Sequence, residues 1–315
     1  GETKRIPFGE LEKLTFQPGG RQLLEEFLQI IEDSANYQFG FNHSTGYSMI
    51  GYVCGYLRYY YPCEFVTAYL NNANNDDDIN MGTQLAKTLG ITVSGIKFGM
   101  SQEKYSCNAE NKIIYKGLTS IKYMNETVSQ ELYGLKNNHY SSFINLLEDI
   151  SNTSCNSRQL DILIKLDFFE EFGEPNQLLK QVEIFNEFYG KKQIKKDKVG
   201  QYPQYIFENN CLKTTEKQYK FEDTMPMIKE LCTVIEYPKT SVKTKISWQL
   251  EHLGYIQYTK PSLEDTYYYV CAIDGNWLTL YQLKTGDTIK IKSRKKYLNG
   301  LTANNIIKIF IRNFC

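Results

Sequence analysis

The spacing of apolar residues changes along this chain, and the change limits the folds it can adopt. Residues 1–90 look helical, since apolar side chains recur every three or four positions, as in residues 21–34, which is the spacing of one helix face. Short β-like pieces follow between residues 90 and 116, and helical spacing resumes near residue 119 and continues to 188. Residues 241–315 instead hold β-branched and aromatic runs, separated by hairpin signals at 274–276 and 285–287. The sequence therefore predicts an α+β multidomain fold, with helices first and a small antiparallel β structure last.

The periodicity also predicts where individual elements lie. Helices are predicted at 21–34, 45–57, 62–70, 78–89, 128–135, 141–150, 157–166 and 178–188. Strands are predicted at 95–98, 112–115, 255–258, 267–273, 277–283, 288–292 and 306–311. Five short strands near the end favour a small barrel such as the OB-fold over a sandwich, which needs about seven. The predicted divisions are 1–94, 95–189, 190–240 as a basic linker and connecting segment, and 241–315.

Composition excludes several classes of protein. Among the 315 residues, 36 lysines and arginines balance 36 aspartates and glutamates, so a uniformly basic coat is excluded while local basic patches are not. No apolar run approaches the ~20 residues that span a bilayer, so no transmembrane helix is expected. The eight cysteines include no C-x-x-C pair, and only three histidines are present, so no metal site is expected. Scattered thiols predict reduced core residues and a cytoplasmic location.

Residues 37–71 read YQFGFNHSTGYSMIGYVCGYLRYYYPCEFVTAYLN and closely resemble the fingers segment of bacterial C-family replicative DNA polymerases, the alpha subunit of DNA polymerase III. Within it, the matching positions are Phe39, Asn42-His43, Tyr47 and Tyr61-Pro62-Cys63-Glu64-Phe65. Downstream, residues 116–122 resemble the G-L-x-x-I-K element that opens a helix–hairpin–helix pair. Residues 157–173 are similar to the second hairpin helix, and residues 253–256 to the hinge into the OB domain. The resemblance covers roughly residues 30–311 in the family's order.

The resemblance implies a helical fingers-like domain, a helix–hairpin–helix region and an OB-like β domain. In this family the metal-binding carboxylates of the palm precede the matched segment, so the chain is expected to have no catalytic residues, although its parent family is a nucleotidyltransferase. Mg²⁺ is expected only with the missing palm, and no cofactor is expected in this chain. The acidic run Asp76-Asp77-Asp78 is predicted to be a solvated loop and helix cap, with Asp78 as the cap, because consecutive carboxylates on a loop diverge.

Two positions depart from the family pattern. Phe41 stands where the family has a lysine near the incoming triphosphate. Tyr123-Met124-Asn125 stands where the first hairpin of the family has a G-V-G core, whose backbone N–H groups meet a DNA phosphate. A tyrosine at the first glycine position predicts that the backbone cannot closely approach a phosphate.

Candidate site residues follow from the resemblance and from local charge. His43 and Tyr47 are predicted to lie near an incoming nucleotide; the alternative is that His43 caps its helix and Tyr47 packs in the core. Two basic runs are predicted to contact DNA phosphates without reading sequence, or else to be solvated surface. With one hairpin lysine, the predicted phosphate-binding residues are Lys122, Lys191, Lys192, Lys195, Lys196, Lys290, Lys292, Arg294, Lys295 and Lys296.

A further short motif suggests a protein partner. Gln181, Ile184 and Phe185 fit the Gln-x-x-aliphatic-Phe peptide with which bacterial polymerases dock on the sliding clamp. Val182 and Phe185 of this peptide also belong to the apolar face of the helix predicted at 178–188. If that face is buried, the peptide cannot dock.

Three functions remain open at this point. The leading hypothesis is a non-catalytic part of a bacterial replicative DNA polymerase alpha subunit that binds template-primer DNA. The alternative is a free-standing DNA-binding or adaptor protein of this ancestry, without polymerase activity and with contacts to single strands through its OB-like domain. The third is a structural or interaction module whose DNA surfaces have decayed. DNA and the sliding clamp are the expected partners, and no membrane contact is expected.

Overall fold

The computed structural model describes residues 20–35, 40–294, 298 and 300–309. The chain divides into two compact units, Gly1–Phe65 and Val66–Cys315. The described residues form eleven α-helices and ten strands, so the predicted α+β class is confirmed. Phe39, Lys295 and Lys296, which the sequence analysis singled out, lie outside the described residues.

The first unit is helical where it is described. Helix α1 spans Gly20–Ala35, helix α2 spans Phe41–Tyr60, and helix α3 (Pro62–Asn71) runs from the first unit into the second. The predicted break at Pro62 is confirmed, since Tyr61 leaves the helical region with φ −132° and ψ 56°. A proline disfavours helical geometry in the residue before it but is tolerated in the first turn of the next helix.

Helix α4 (Asp76–Thr88) begins in the acidic run. The predicted cap is corrected here, because Asn75 is the N-cap and its side-chain oxygen accepts a hydrogen bond from Asp78 N at 2.8 Å. Asp78 lies in the first turn, and its carboxylate accepts from Asn74 N at 3.2 Å. The run therefore closes the start of a helix, as caps and acidic first turns commonly do.

A small mixed sheet follows. It contains β1 (Thr92–Ser94), β2 (Ser106–Asn108) and β3 (Ile113–Tyr115) in the order β1-β3-β2, with β1 parallel to β3 and β2 antiparallel to it. The predicted strand at 112–115 is confirmed, whereas the one predicted at 95–98 is not formed. Phe98 is instead buried in the helical core, and its N–H donates to Phe168 O at 2.8 Å.

Four helices build most of this core: α5 (Glu126–Gly134), α6 (Phe143–Ile150), α7 (Ser157–Lys165) and α8 (Pro175–Phe188). All four were predicted within a few residues. Asn and Ser residues cap α5, α6 and α7 through their side chains, which satisfies backbone N–H groups that a helix start leaves open. An aromatic cluster fills the space between them: Phe98, Phe143, Phe168, Phe169 and Phe172.

The segment 190–240, predicted to be a basic linker, is folded. It contains β4 (Gln193–Lys195), α9 (Gln204–Asn210), β5 (Lys213–Thr214), β6 (Gln218–Lys220) and α10 (Met225–Val234). The three strands form an antiparallel sheet in the order β4-β6-β5. Buried residues of this segment, including Ile194, Phe207 and Tyr219, belong to the same core as the helices. The predicted linker is therefore part of the folded structure, and its Lys195 lies on a strand of this sheet.

The last part of the chain begins with a helix that the sequence did not predict, α11 (Val242–Leu253). The four strands after it are β7 (Tyr267–Asp274), β8 (Trp277–Gln282), β9 (Thr288–Lys292) and β10 (Ile306–Lys308). They are all antiparallel, in the order β10-β7-β8-β9, and all four were predicted. Among the described residues this sheet is open rather than closed into a barrel, so the OB-fold is not confirmed.

The strand predicted at 255–258 is not formed, because a side chain of α11 binds the backbone N–H groups of this segment. The side-chain oxygen of Gln249 accepts hydrogen bonds from Gln257 N at 3.0 Å and from Tyr258 N at 2.9 Å. Helix α11 is also fixed to the end of α7, since Lys245 Nζ lies 2.7 Å from the Asp167 carboxylate. Burial raises the pKa of Asp167, although the ammonium of Lys245 opposes this shift. The end of α11 lies beside residues 119–124, with which it lines a recess.

Candidate nucleic-acid interface

Residues 121–125 form a hairpin loop between the short 3₁₀ turn Leu118–Ser120 and helix α5. At its end, Asn125 caps α5 by accepting a hydrogen bond from Val128 N at 2.9 Å. Tyr123 has φ +73°, in the left-handed region that favours glycine. A residue with a Cβ costs about 1–2 kcal/mol there, so the surrounding structure must hold Tyr123 in place.

Gln159 supplies much of that restraint. Its side-chain nitrogen donates to Tyr123 O at 2.8 Å, and its side chain is buried. Its side-chain oxygen accepts from Asn156 N at 3.0 Å, while Asn156 in turn caps α7 through Gln159 N. One buried amide thus links the hairpin loop to the start of α7.

Replacing Gln159 with leucine is expected to lower the free energy of unfolding by about 1–3 kcal/mol, because Tyr123 O and Asn156 N lose their buried partner. Urea denaturation measures the loss. Gln130→Leu is the matched control, since Gln130 makes its hydrogen bonds on the exposed surface of α5 and should change stability by less than about 0.5 kcal/mol. Equal effects of the two substitutions would contradict the role given to Gln159.

Two cations lie against the Tyr123 ring. The guanidinium carbon of Arg158, at the start of α7, is 3.6 Å from the ring centroid, and Lys122 Nζ is 5.2 Å from it. Both cations and the tyrosine are exposed. Lys122 was predicted as a phosphate contact. Arg158 was missed, because nothing in the sequence indicates that a residue so far along the chain reaches this loop.

A recess of about 520 Å³ separates this loop from the end of α11. Its lining includes Lys122 and Tyr123 on one side and Glu251 and His252 on the other. His252 is about nine-tenths buried, and its Nε2 makes no hydrogen bond to the described residues. Burial lowers the pKa of His252, which favours the neutral ring. The positive charge of the loop therefore comes from Lys122 and Arg158.

A second basic surface lies on the sheet β4-β6-β5. Lys220 pairs across the strands with Lys213 and with Gln193, while Lys195 pairs with Gln218. Because alternate residues of a strand share a face, Lys195, Lys213 and Lys220 lie on the same side of the sheet. Ile194 and Tyr219 face the core on the other side. We call the outer side, defined by these three lysines, the lysine face.

The surroundings of the lysine face add more positive charge. Between residues 191 and 220, eight lysines stand against three carboxylates. Lys192 Nζ donates to Glu222 O at 2.9 Å, and Lys196 Nζ lies 5.0 Å from the Tyr219 ring. The structure thus brings Lys191, Lys192, Lys195 and Lys196 of the predicted run into one region with three lysines that were missed: Lys213, Lys217 and Lys220. Residues 215–217, which connect β5 and β6, contain no Gly, Pro, Asn or Asp, so the sequence carries no clear signal for this hairpin.

The other predicted basic run lies partly on strand β9. Lys290 and Lys292 share a face of the sheet with Trp277, and their Nζ atoms lie 5.8 and 5.9 Å from its ring. Arg294 follows the strand and is exposed. Two adjacent cations and a partly exposed indole could contact a phosphate or a base.

The nucleotide-proximal candidates lie at the start of α2. His43 is exposed, and its backbone N–H donates to Gly40 O at 2.9 Å, whereas no side chain among the described residues caps this helix. Tyr47 is 65% exposed. The structure therefore does not show the alternative, in which His43 caps the helix and Tyr47 packs in the core. Within the described part of the chain, no group of three or more His, Cys, Asp and Glu side chains could hold a metal ion.

The predicted clamp peptide lies in the middle of helix α8. Ile184 and Phe185 are buried in the helical core, and the Phe185 ring stacks on Tyr189 with centroids 4.2 Å apart. Gln181 is partly buried, and its side-chain oxygen makes no hydrogen bond to the described residues. An extended peptide would need these side chains outside the core, so docking requires α8 to open.

Parts of this chain are similar to known proteins. A model described as helix-hairpin-helix motif matches residues 90–179, which include the hairpin loop and α7. DNA polymerase III subunit alpha of Treponema pallidum is 30% identical over 152 residues, 47% of this chain and 13% of that protein. The Borreliella burgdorferi subunit of the same name is 24% identical over 221 residues, 67% of this chain and 19% of that protein. The chain is related to the alpha subunit of DNA polymerase III.

Proteins named DNA polymerase III subunit alpha from further bacteria also match this chain. The Bacillus subtilis subunit is 26% identical over 151 residues, 47% of this chain and 13% of that protein. The chain thus spans well under a quarter of the length of the alpha subunits it matches. No helix among the described residues has the length and apolar character needed to cross a membrane.

Proposed function

We propose that this chain binds DNA during replication, in the cytoplasm, by gripping the sugar–phosphate backbone without reading sequence. The lysine face carries this proposal. A chain with no net charge concentrates eight lysines between residues 191 and 220, and three of them lie side by side on one sheet surface. Clustered lysines attract phosphates through counterion release, which is independent of sequence.

The match of residues 90–179 to the helix-hairpin-helix model supports the same function. The matched residues and the lysine face both lie in the second unit of the chain. The relationship to DNA polymerase III subunit alpha supports a narrower role, in which duplex template-primer DNA is the ligand and the chain itself performs no polymerisation. A free-standing DNA-binding or adaptor protein of the same ancestry is the alternative. Both roles require the same backbone contacts.

The sliding clamp is a narrower proposal for a protein partner. Its support is the fit of Gln181, Ile184 and Phe185 to a clamp-binding peptide in a chain related to an alpha subunit. Burial of two of these side chains in α8 counts against it. Faster hydrogen exchange of the α8 amides on adding the clamp is the expected sign that the peptide has opened and docked.

If the chain binds DNA as proposed, its affinity for DNA should fall steeply with salt concentration, and the lysine face should account for much of this fall. Affinity for a duplex of about 20 base pairs, measured by fluorescence anisotropy between about 50 and 200 mM salt, should fall linearly on logarithmic axes. The triple substitution of Lys195, Lys213 and Lys220 by alanine should reduce the slope by about 2.7, since each phosphate contact contributes about 0.9.

The matched control removes the same charge elsewhere. Lys104, Lys229 and Lys239 are exposed lysines outside the lysine face, and replacing all three with alanine should leave the slope nearly unchanged. Single-stranded DNA of the same length separates duplex from single-strand preference. Absence of binding at about 50 mM salt, or equal losses in the two triple variants, would remove the support for this function.

A further inference from the structure

We propose that the hairpin loop holds a DNA phosphate through the side chains of Arg158 and Lys122, arranged on the Tyr123 ring, rather than through backbone N–H groups. This inference rests on the proposed DNA-binding function and assigns Arg158, which no motif in the sequence marks, as a binding residue. It also gives the tyrosine at this position a role as the support for both cations.

The backbone of the loop is poorly placed to receive a phosphate. Tyr123 has a Cβ and a ring at a left-handed position, φ +73°, where a glycine would leave the main chain open. The N–H of Met124, in the middle of the loop, donates to Ile121 O at 3.1 Å and is already used. The carbonyl of Tyr123 is fixed by Gln159 at 2.8 Å, so the loop cannot easily turn over to expose other amides.

The side chains offer what the backbone lacks. An arginine guanidinium carries five N–H donors in a planar fork, and at 3.6 Å from the Tyr123 centroid it is held by the ring while its donors remain available at the edge. A fixed guanidinium loses less rotamer entropy when it binds a phosphate. Gln159 holds the loop conformation, the loop places the Tyr123 ring, and the ring positions Arg158 before a phosphate binds.

Lys122 supplies a second charge at the same ring. The distances of both cations from the Tyr123 centroid place the two charges within about 9 Å of each other, close enough for one strand of DNA to meet both. Like charges at this separation repel, and a bound anion relieves the repulsion. Glu251, a carboxylate that also lines the recess, is exposed, and its Oε2 lies 3.9 Å from His252 Nε2.

The chemistry selects a phosphodiester of a nucleic-acid backbone as the ligand. Lys122 on the loop and Arg158 at the start of α7 are both exposed, and the exposed Tyr123 ring offers an apolar surface beside them. Contacts of this kind fix the position of a duplex without carrying sequence information. The hairpin and the lysine face would then each contribute phosphate contacts.

The deciding experiment compares five single variants in the full chain by anisotropy with the same duplex. Arg158→Ala and Lys122→Ala should each weaken binding roughly fivefold to tenfold near 100 mM salt and reduce the salt slope by about 0.9. Tyr123→Gly should also weaken binding, by about threefold or more, because it removes the support of both cations. A backbone-mediated site predicts the opposite, since glycine at φ +73° opens the loop and should tighten binding.

The matched control is Lys136→Ala. Lys136 Nζ lies 3.6 Å from the Tyr133 centroid, an equivalent cation–ring pair at the other end of α5, and its loss should change affinity by less than about twofold. Circular dichroism melting of each variant checks folding, and Arg158→Lys provides a second variant that keeps the charge but loses the planar fork, for which partial binding is expected.

The outcomes separate this inference from the proposed function. If the unaltered chain binds DNA and the lysine-face triple variant weakens it, but Arg158→Ala behaves like Lys136→Ala, the hairpin assignment fails and the function stands. Tighter binding by Tyr123→Gly would also overturn the assignment. If the unaltered chain fails to bind at low salt, both are overturned.

Discussion

Replacing Gly117 with alanine is expected to lower the free energy of unfolding by about 3 kcal/mol or more, the upper range for overpacking in a rigid site. A Cβ at this position would lie 2.5 Å from Lys104 Cα and 2.6 Å from Glu103 O. Both atoms belong to the main chain and cannot move aside as a flexible side chain could. Urea denaturation of the variant and the unaltered chain measures the effect.

The clash would also disturb the hydrogen bonds that dock the start of the hairpin. Leu118 N donates to Gln102 O at 2.9 Å, and Thr119 N donates to Glu103 O at 3.1 Å. Gly134→Ala is the matched control, because Gly134 has helical angles of −60° and −34° and nothing lies within 4 Å of its added Cβ. That substitution should raise stability by about 0.5–1 kcal/mol. Similar losses in both variants would refute the steric explanation.

Replacing Phe169 with alanine is the second large effect expected, a loss of about 3–5 kcal/mol. Its side chain is fully buried, and its ring lies 4.7 Å from that of Phe168, 5.2 Å from that of Phe143 and 5.8 Å from that of Phe98, centroid to centroid. Removing it takes away apolar contacts from three directions and leaves a cavity between packed helices. Thermal and urea unfolding measure the loss.

The control for Phe169 is Tyr205→Ala on α9. This ring is 51% exposed, so its removal should cost less than about 1 kcal/mol. A small effect at Phe169 would mean that the aromatic cluster can collapse around the cavity, and the central place given to this cluster in the fold would then be incorrect.

The sequence was sufficient wherever local signals decide the structure. Helix α7 was predicted at 157–166 and spans Ser157–Lys165, because Asn156 caps it and the apolar spacing continues to its end. The β7–β8 and β8–β9 connections were predicted from Gly-containing turns, since such residues adopt left-handed angles freely; Gly275 and Gly286 have φ values of +57° and +79°.

The sequence was insufficient to predict the structure where a contact between residues far apart in the chain determines the backbone conformation. Residues 255–258 have the composition of a strand, yet the side chain of Gln249 binds the N–H groups of Gln257 and Tyr258 and keeps them out of a sheet. Strand β4 lies in the segment predicted to be a linker, because lysines dominate the sequence around it. Only Ile194 of its three residues is buried. A strand this short gives no periodic signal of its own.

The candidate site shows the same division. Lys122 and the basic runs were predicted because charge is visible in the sequence, and the fold then brought Lys213 and Lys220 beside Lys195 through strand pairing. Arg158 required the structure, because its relation to Tyr123 depends on how α7 docks on the hairpin. Tyr123 was expected to block the loop, and the structure adds that its ring supports two cations.

Strand β9 also affects how copies of this chain behave toward one another. It lies at an edge of the described sheet, with β8 on one side, so its other side offers backbone groups to any approaching strand. Lys290 and Lys292 alternate along it and are exposed. Two such edges meeting would bring ammonium groups together, which discourages the self-templated sheet growth that leads to aggregation. The same lysines could thus protect the chain at high concentration whether or not a polyanion is bound.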